Sequence, residues 1–288
     1  MQQFTLKFGR FCLELGRETC LMGILNTTPD SFSDGGKFNS FDTAVCQGLK
    51  LAEAGAHILD IGGESSRPFA QPVSEQEELD RVIPVIEHLA QRIEIPISID
   101  TVKAVVAQEA VQAGAAMIND ISAMEKDLKM AAVAARSRVP VILMHMQGTP
   151  QTMQVDPDYT DLMREITQYL EHRAKVAVDS GISPGHIILD PGIGFGKTVH
   201  HNLVLINHLE KVAALGFPVL IGPSRKSFIR SVLSDKQARP VEPGHVKTEY
   251  GTLAAVAASV LNGAHIVRVH DVEKVKSFTS IIDAIRNA

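Results

Sequence analysis

A repeated unit runs through this chain: an amphipathic stretch, a glycine, and then a short β-branched run that ends in polar residues. Gly55 precedes the run 57–61, and Gly263 precedes the run 266–270 in the same way. Glycine is favoured directly after a helix because other residues suffer a Cβ clash in the left-handed conformation. The unit therefore predicts alternating helices and strands, which is typical of a parallel sheet covered by helices.

Eight strand candidates follow this pattern in a chain of 288 residues, and no linker or charge block divides them. They are the runs 21–25, 57–61, 96–100, 117–120, 139–144, 187–190, 219–222 and 266–270. Among the intervening segments, helices are expected over 43–54, 103–113, 161–180 and 252–262. Eight such units predict an α/β fold: a single (β/α)8 TIM barrel forming one domain over residues 1–288.

The composition narrows the class of protein. A net charge of −5 gives no reason to expect nucleic acid or an anionic membrane as partner. No signal peptide or membrane-spanning apolar run is visible, so the expected location is the cytoplasm. Cys12, Cys20 and Cys46 form no CxxC pair and are expected to be unreactive packing residues in a reducing compartment.

Polar residues stand at the carboxyl ends of all eight strand candidates. In order they are Asn26, Asp60 with Glu64, Asp100, Asn119, His145, Asp190, Ser224, and Arg268 with His270. TIM barrels keep their chemistry at this end of the strands. Turn formers and helix N-caps would explain any single position equally well, because Asn, Asp and Ser are favoured there. The complete ring, which includes Arg and His, favours a functional site.

Three segments beyond strand ends are rich in glycine. They are residues 26–36, residues 62–68, which combine glycines with hydroxyls and an arginine, and residues 190–198. The last contains Gly-Lys-Thr, but Pro191 stands where a nucleotide-binding P-loop needs glycine, so ATP or GTP binding there is rejected. The irregular segment Ser234–Tyr250 is expected to be an exposed loop without chemistry.

Five motifs in order along the chain closely resemble the dihydropteroate synthase family. They occupy residues 22–36, 62–68, 190–197, 224–227 and 268–271. The resemblance implies a transferase of folate biosynthesis. Such an enzyme condenses 6-hydroxymethyl-7,8-dihydropterin pyrophosphate with p-aminobenzoate and releases 7,8-dihydropteroate and pyrophosphate. It also implies sensitivity to sulfonamides and a homodimer formed through outer helices such as 252–262.

The resemblance assigns the pterin ring to four residues. Asp190 would accept two parallel hydrogen bonds from the donor edge of the ring, as a carboxylate can. Asn119 and Asp100 would read the remaining ring nitrogens, and Lys226 would face the ring oxygen. The alternative for Asp190 is a helix N-cap that follows its strand.

The family pattern places the diphosphate near Asn26, Ser66, Arg67, Arg268 and His270. The last two lie two apart on one strand end, so they share a face and could oppose the charge of the leaving group. Asn26 matches the residue that meets the diphosphate and its Mg²⁺, the one expected cofactor. The alternative for the arginine is a structural salt bridge with the aspartate at 271 or with another acid.

The second substrate, p-aminobenzoate, would lie against Phe32, Pro68 and Phe195. Ser224, expected at the start of a helix, would donate to its carboxylate. Asp34 resembles the acid that stabilises a pterin cation formed when diphosphate leaves. With Asp34, the expected catalytic residues are Lys226, Arg268 and His270.

Two departures from the family pattern occur in the second motif. Ser65-Ser66 stands where the family usually has Ser-Thr, and Phe69 stands where glycine is common. Two rival functions stay open: a methyltetrahydrofolate-dependent corrinoid methyltransferase and a non-catalytic pterin-binding protein. Neither needs the diphosphate residues.

Overall fold

The computed structural model describes residues 1–28, 37–234, 241–242 and 244–288, without the side chains of 37–40. Its strands are β1 Phe4–Phe8, β2 Phe11–Leu15, β3 Cys20–Asn26, β4 Ile58–Gly62, β5 Ile97–Asp100, β6 Met117–Asp120, β7 Val141–Met144, β8 Ile187–Asp190, β9 Leu220–Ile221 and β10 Ile266–Val269. Its helices are α1 Lys37–Glu53, α2 Glu75–Ala90, α3 Ala104–Ala113, α4 Met130–Ser137, α5 Leu162–Asp179, α6 Val199–Asn207, α7 Glu210–Ala213, α8 Ser227–Leu233, α9 Val246–Leu261 and α10 Val272–Arg286. A short 3-10 helix covers Pro184–His186.

The parallel strands pair in the order β8-β7-β6-β5-β4-β3-β10-β9. A parallel bridge between Leu189 and Val219 joins the two outer strands, and Leu189 N donates to Pro218 O at 2.9 Å. The sheet is therefore a closed barrel with helices outside, and the predicted (β/α)8 fold is confirmed. All eight predicted strands are present, and glycine or proline precedes or begins seven of them. Gly114, for example, ends α3 with a φ of +119°.

Helix boundaries agree less well than strands. The predictions 103–113 and 161–180 match α3 and α5 within one residue. The predicted start of α9 at 252 is wrong, because the helix begins at Val246 after the cap residue His245, whose ring accepts from Lys247 N. Histidine is an unusual N-cap, so this helix start is hard to predict from the residues alone. Part of the expected loop Ser234–Tyr250 is therefore helical, while residues 235–240 and 243 lie outside the described residues.

A β-hairpin precedes the barrel, and the sequence analysis missed it. Strands β1 and β2 pair in antiparallel fashion and place Leu6, Phe8 and Leu15 against the bottom of the barrel. They pack there on inward side chains from seven strands: Cys20, Met22, Ile58, Met117, Ile142, Ile188, Leu220 and Ile266. Each large buried side chain contributes about 1.5–3 kcal/mol. The lower barrel is thus an apolar plug, and polar chemistry is confined to the opposite end.

The expectation that the cysteines are packing residues holds only for Cys20. This residue is buried, and burial raises the pKa of its thiol to about 12. Cys12 and Cys46 are free and exposed, so that expectation is wrong for them. In the part of the chain that the structure describes, no helix is long and apolar enough to cross a membrane.

Candidate active site

Four polar side chains from four strands meet inside the upper barrel. Arg268 of β10 donates from Nε to Asp60 Oδ2 at 2.6 Å and from Nη2 to Asp100 Oδ2 at 2.8 Å. Asn119 Nδ2 of β6 donates to the same oxygen of Asp60 at 3.1 Å. The strand ends therefore converge as the ring of polar residues predicted, and they do so around a buried ion-pair network.

This network corrects the expectation that the whole guanidinium of Arg268 is free to oppose the charge of the leaving group. Two of its nitrogens are committed to carboxylates, because buried carboxylates need a counter-charge. The salt-bridge alternative is confirmed in its second form, because the partners are the acids Asp60 and Asp100, while Asp271 pairs with Lys274 at 2.5 Å. Nη1 of Arg268 has no hydrogen-bond partner among the described residues, which leaves two N–H donors for an anion.

Asp100 has an unusual acidity in this network. Its pKa is raised to about 7, chiefly by burial. The guanidinium of Arg268 lowers the pKa, while the nearby carboxylates of Asp60 and Glu78 raise it. Near neutral pH, Asp100 can therefore be either a hydrogen-bond acceptor or a donor. A titratable carboxyl deep in a cleft is typical of a functional site.

Asp190 and Lys226 form a second charged group at the barrel mouth. Asp190 is only 7% exposed, and its Oδ1 accepts from Gly192 N at 2.7 Å. Burial raises its pKa to about 6, although the Gly192 hydrogen bond and the lysine lower it. Burial and the charge of Arg268 lower the pKa of Lys226 to about 8. Asp190 is not a helix N-cap, because Thr198 caps the following helix α6.

Phe195 lies between an apolar cluster and this lysine. Its ring packs in a cluster with Met144 and Met153 and is 8% exposed. The ammonium of Lys226 stands 3.9 Å from the ring centroid, in cation–π geometry. The core interpretation of this phenylalanine is thus confirmed, and its contact with p-aminobenzoate stays a prediction.

The sequence analysis did not single out Lys197, which is 2% exposed. Its Nζ donates to Phe195 O at 2.8 Å and to His145 Nδ1 at 3.0 Å. It thereby ties the segment after β8 to the end of β7. The lysine belongs both to the rejected P-loop pattern and to the 190–197 family motif, and neither assigned it a separate role. A lysine beside a predicted buried strand end was the available signal.

Ser224 and His270 form a hydrogen-bonded pair at 2.9 Å, from Oγ to Nδ1. The expected helix N-terminus at Ser224 is wrong, because α8 begins at Ser227 after its N-cap Lys226. Burial, with the positive charges of Arg225 and Arg268, lowers the pKa of His270 to about 3. This histidine is therefore neutral at physiological pH, so a role against the leaving group would depend on hydrogen bonding and not on a positive charge.

The loop after β4 presents its tip to solvent. Ser66 is half-buried, whereas Arg67 and Pro68 are exposed. Phe69 has a φ of +65° and is 65% exposed, while its N–H donates to Pro150 O at 3.0 Å. Positive φ is strained for a bulky residue, which explains physically why glycine suits this position.

The remaining expected residues lie around the first strand. Asn26 ends β3 and is half-buried. Phe32 and Asp34 lie outside the described residues. Within the described ranges, no group of three or more His, Cys, Asp or Glu side chains is arranged to hold a metal ion.

Residues 22–270 match the family model described as pterin binding enzyme. A barrel with buried hydrogen-bonding groups at its carboxyl end agrees with that description. The chain belongs to the pterin binding enzymes.

Among its relatives are proteins named dihydropteroate synthase. The one from Synechocystis is 49% identical over 280 residues, which cover 97% of this chain and 94% of that protein. The one from Bacillus subtilis is 47% identical and covers 96% of this chain and 91% of that protein.

Solved structures agree. Dihydropteroate synthase of Yersinia pestis, in a sulfonamide complex, superposes with a TM-score of 0.90 at 43% identity, covering 99% of this chain and 100% of that one. The Xanthomonas albilineans enzyme with 4-aminobenzoic acid gives 0.89 at 39% identity, covering 100% of each chain. The same enzyme in complex with 7,8-dihydropteroate gives 0.87 at 38% identity, covering 99% of each chain.

Proposed function

We infer that this barrel is a transferase with dihydropteroate synthase activity. It joins 6-hydroxymethyl-7,8-dihydropterin pyrophosphate to p-aminobenzoate, with release of pyrophosphate, in folate biosynthesis. The observation that carries this conclusion is 43–49% identity, over more than nine-tenths of the chain, to relatives with that name. The related Xanthomonas albilineans structures contain 4-aminobenzoic acid or the product 7,8-dihydropteroate.

The pterin ring is proposed to bind at Asp190, Asn119, Asp100 and Lys226. Asp190 is ionised above its pKa of about 6 and can then accept two donors from one edge of the ring. Asn119 already donates to Asp60, which leaves its amide oxygen as an acceptor. Burial excludes water from this site and strengthens each hydrogen bond.

The diphosphate is proposed to lie above the ring, where Arg268 offers its Nη1 donors. Because Asp60 and Asp100 hold the other side of the guanidinium, the arginine is oriented before the anion arrives, which favours electrostatic stabilisation. His270 is neutral, and if Ser224 donates to its Nδ1, its Nε2–H can donate to a phosphate oxygen. Ser66, Arg67 and Asn26 complete this proposed subsite.

Mg²⁺ fits this subsite as a proposal. Asn26 supplies one amide oxygen at a strand end, and its side chain has no hydrogen-bond partner among the described residues. Mg²⁺ commonly takes only one or two protein ligands, and water and substrate phosphates supply the rest. When bound with diphosphate, it would neutralise charge on the leaving group.

The aminobenzoate is proposed to contact Phe195, Pro68 and the ammonium of Lys226. Ser224 was expected to donate to its carboxylate, but the hydroxyl has one proton and cannot donate there while it donates to His270 Nδ1, and no helix N-terminus assists it. The reaction needs no nucleophilic side chain: diphosphate loss leaves a pterin-stabilised cation, and the arylamine attacks it. The roles of Phe32 and Asp34 in that step stay predictions, as do the homodimer and the cytoplasmic location.

The test is a coupled assay with both substrates and Mg²⁺ that follows pyrophosphate release and identifies the product by mass. Formation of dihydropteroate at a rate that depends on p-aminobenzoate supports the proposal. Pterin binding without pyrophosphate release would indicate a non-catalytic pterin-binding protein. Methyl transfer from methyltetrahydrofolate would indicate the corrinoid methyltransferase.

A further inference from the structure

One half-buried ammonium holds both ends of the loop formed by residues 64–73. Lys103 Nζ donates to Glu64 Oε2 at 2.5 Å at the start of this loop and to Val73 O at 2.8 Å at its end. Lys103 belongs to neither end, because it lies directly before α3. A single side chain from elsewhere in the fold therefore closes the 64–73 loop.

Helix α2 provides a third acceptor and a rigid wall. Glu78 of α2 is fully buried, and its Oε2 accepts from Lys103 Nζ at 2.5 Å. Arg81 Nη1 donates to Gly63 O at 2.8 Å, one residue before the loop. A Cβ at Gly63 would lie 2.8 Å from Val82 Cγ1, so the chain enters the loop in direct contact with the helix. The start of the loop is thus fixed by packing as well as by charge.

The tip of the same loop has few such contacts. Arg67, Pro68 and Phe69 are exposed. The tip contacts the segment after β7 through Phe69 N to Pro150 O, and Ala70 O accepts from Gln151 Nε2 at 3.1 Å. When the tip is exposed and the ends are fixed, the position of the ends determines where the tip can reach.

We propose that Lys103 and Glu78 are positioning residues for the transferase reaction, acting through the 64–73 loop. They hold the loop ends at the spacing that lets Ser66, Arg67 and Pro68 reach the diphosphate and the aminobenzoate. This inference rests on the proposed function of those three residues. Lys103 has no donor left for a substrate, because its ammonium has all three donors satisfied within the fold.

The design of the test must separate folding from positioning. Lys103→Met alone leaves the buried Glu78 carboxylate without a counter-charge, which destabilises the fold. The double variant Lys103→Met/Glu78→Met removes both charges together, while Lys103→Arg keeps the positive charge. Glu64→Gln weakens only the contact at the loop start. Lys175→Met is the matched control, because it breaks an exposed lysine–aspartate pair on α5.

For each variant, we would measure kcat and KM for both substrates, the Kd of free 6-hydroxymethylpterin, and amide hydrogen exchange over residues 64–73. In the double variant, KM for p-aminobenzoate should rise about 10-fold or more, as small misplacements of contacting groups can cause. The free-pterin Kd should stay within about twofold of wild type, because the ring binds at the barrel mouth. Exchange should accelerate in the loop, and Lys103→Arg should restore part of both effects.

A folded double variant with wild-type KM and wild-type exchange would overturn the inference. If both Lys103→Met proteins fail to fold, Glu64→Gln decides by the same measurements. Loop exchange and a KM for p-aminobenzoate that both equal the wild-type values would then overturn the proposal. If the wild-type protein itself forms no dihydropteroate, the proposed function fails separately. The exchange data would then still show whether Lys103 fixes the loop.

Discussion

Replacement of Arg268 by methionine tests the ion-pair network directly. The substitution keeps an unbranched side chain but removes the counter-charge of Asp60, which is fully buried, and of Asp100. Among the described residues, Asp60 Oδ1 has no hydrogen-bond partner, and the network leaves Asp60 only the donor of Asn119. Breaking a buried pair from one side costs about 3–5 kcal/mol. For a chain of this size, the melting temperature should fall by roughly 6–10 °C.

The pH dependence of this loss is a sharper test. The wild-type Asp100 has a pKa of about 7, above its unfolded value near 3.8, so it takes up a proton on folding and stability falls as pH rises through that window. Without Arg268, which lowers this pKa, the folded value rises further. As pH rises to about 7, the free energy of unfolding falls in both the wild type and the variant. Above about pH 7 it continues to fall only in the variant. The gap in unfolding free energy should widen by up to about 1.4 kcal/mol per pH unit.

Urea denaturation at intervals from pH 5.5 to pH 8 measures this gap, with Lys175→Met as a control that should match wild type throughout. The double variant Arg268→Met/Asp60→Asn should recover part of the loss, with a coupling of about 1–3 kcal/mol. Free-pterin affinity should also fall in Arg268→Met, because Asp100 is no longer held. A variant within about 1 kcal/mol of wild type at pH 8 would refute the reasoning.

Two further predictions concern single positions, and a third concerns the coupling between two ligands. Asp190→Asn should weaken free-pterin binding by about 1–3 kcal/mol in calorimetric titration, because a ring donor loses its acceptor. The affinity of the wild type for free pterin should fall below about pH 6 as Asp190 protonates, and the variant should show no such pH-dependent step. Phe69→Gly should be more stable than Phe69→Ala by about 1 kcal/mol in thermal denaturation, since only glycine accepts a φ of +65° without strain; equal stabilities would show that the loop relaxes instead. A sulfonamide should bind more tightly when pyrophosphate and Mg²⁺ are present, by roughly 1–3 kcal/mol, and identical affinities in the two titrations would mean that the aminobenzoate pocket is already formed.

The barrel could be predicted from the sequence because its signals are local. Glycine after a helix and a β-branched run after glycine are read within ten or so residues, and eight repeats specify the closure. The hairpin was missed although Phe4, Leu6 and Phe8 alternate with polar residues, as a half-buried strand does. Its alternation differs from the continuous apolar runs of the barrel strands, so the repeated unit does not predict it.

The candidate site was predicted in composition but not in its internal pairings. Asp60, Asp100 and Arg268 were all placed at strand ends, yet their ion pairs join residues far apart in the sequence. No local sequence pattern predicts such a pair. In the sequence, an arginine that binds an anionic ligand cannot be distinguished from one that pairs with a carboxylate of the fold. The neutral state of His270 was equally invisible, because it follows from burial and from neighbouring cations.

The apolar plug formed by β1 and β2 makes the barrel a well with a single opening. A ligand that binds at Asp100 and Asn119, inside the upper barrel, cannot be passed by one that sits above it near Phe195. Molecules in such a well leave in the reverse of the order in which they enter. For two substrates that stack, the deeper one must arrive first, and their joined product must depart with its outer end leading. The hairpin thus imposes an order on ligand binding and release, although it lies at the opposite end of the barrel from the candidate active site.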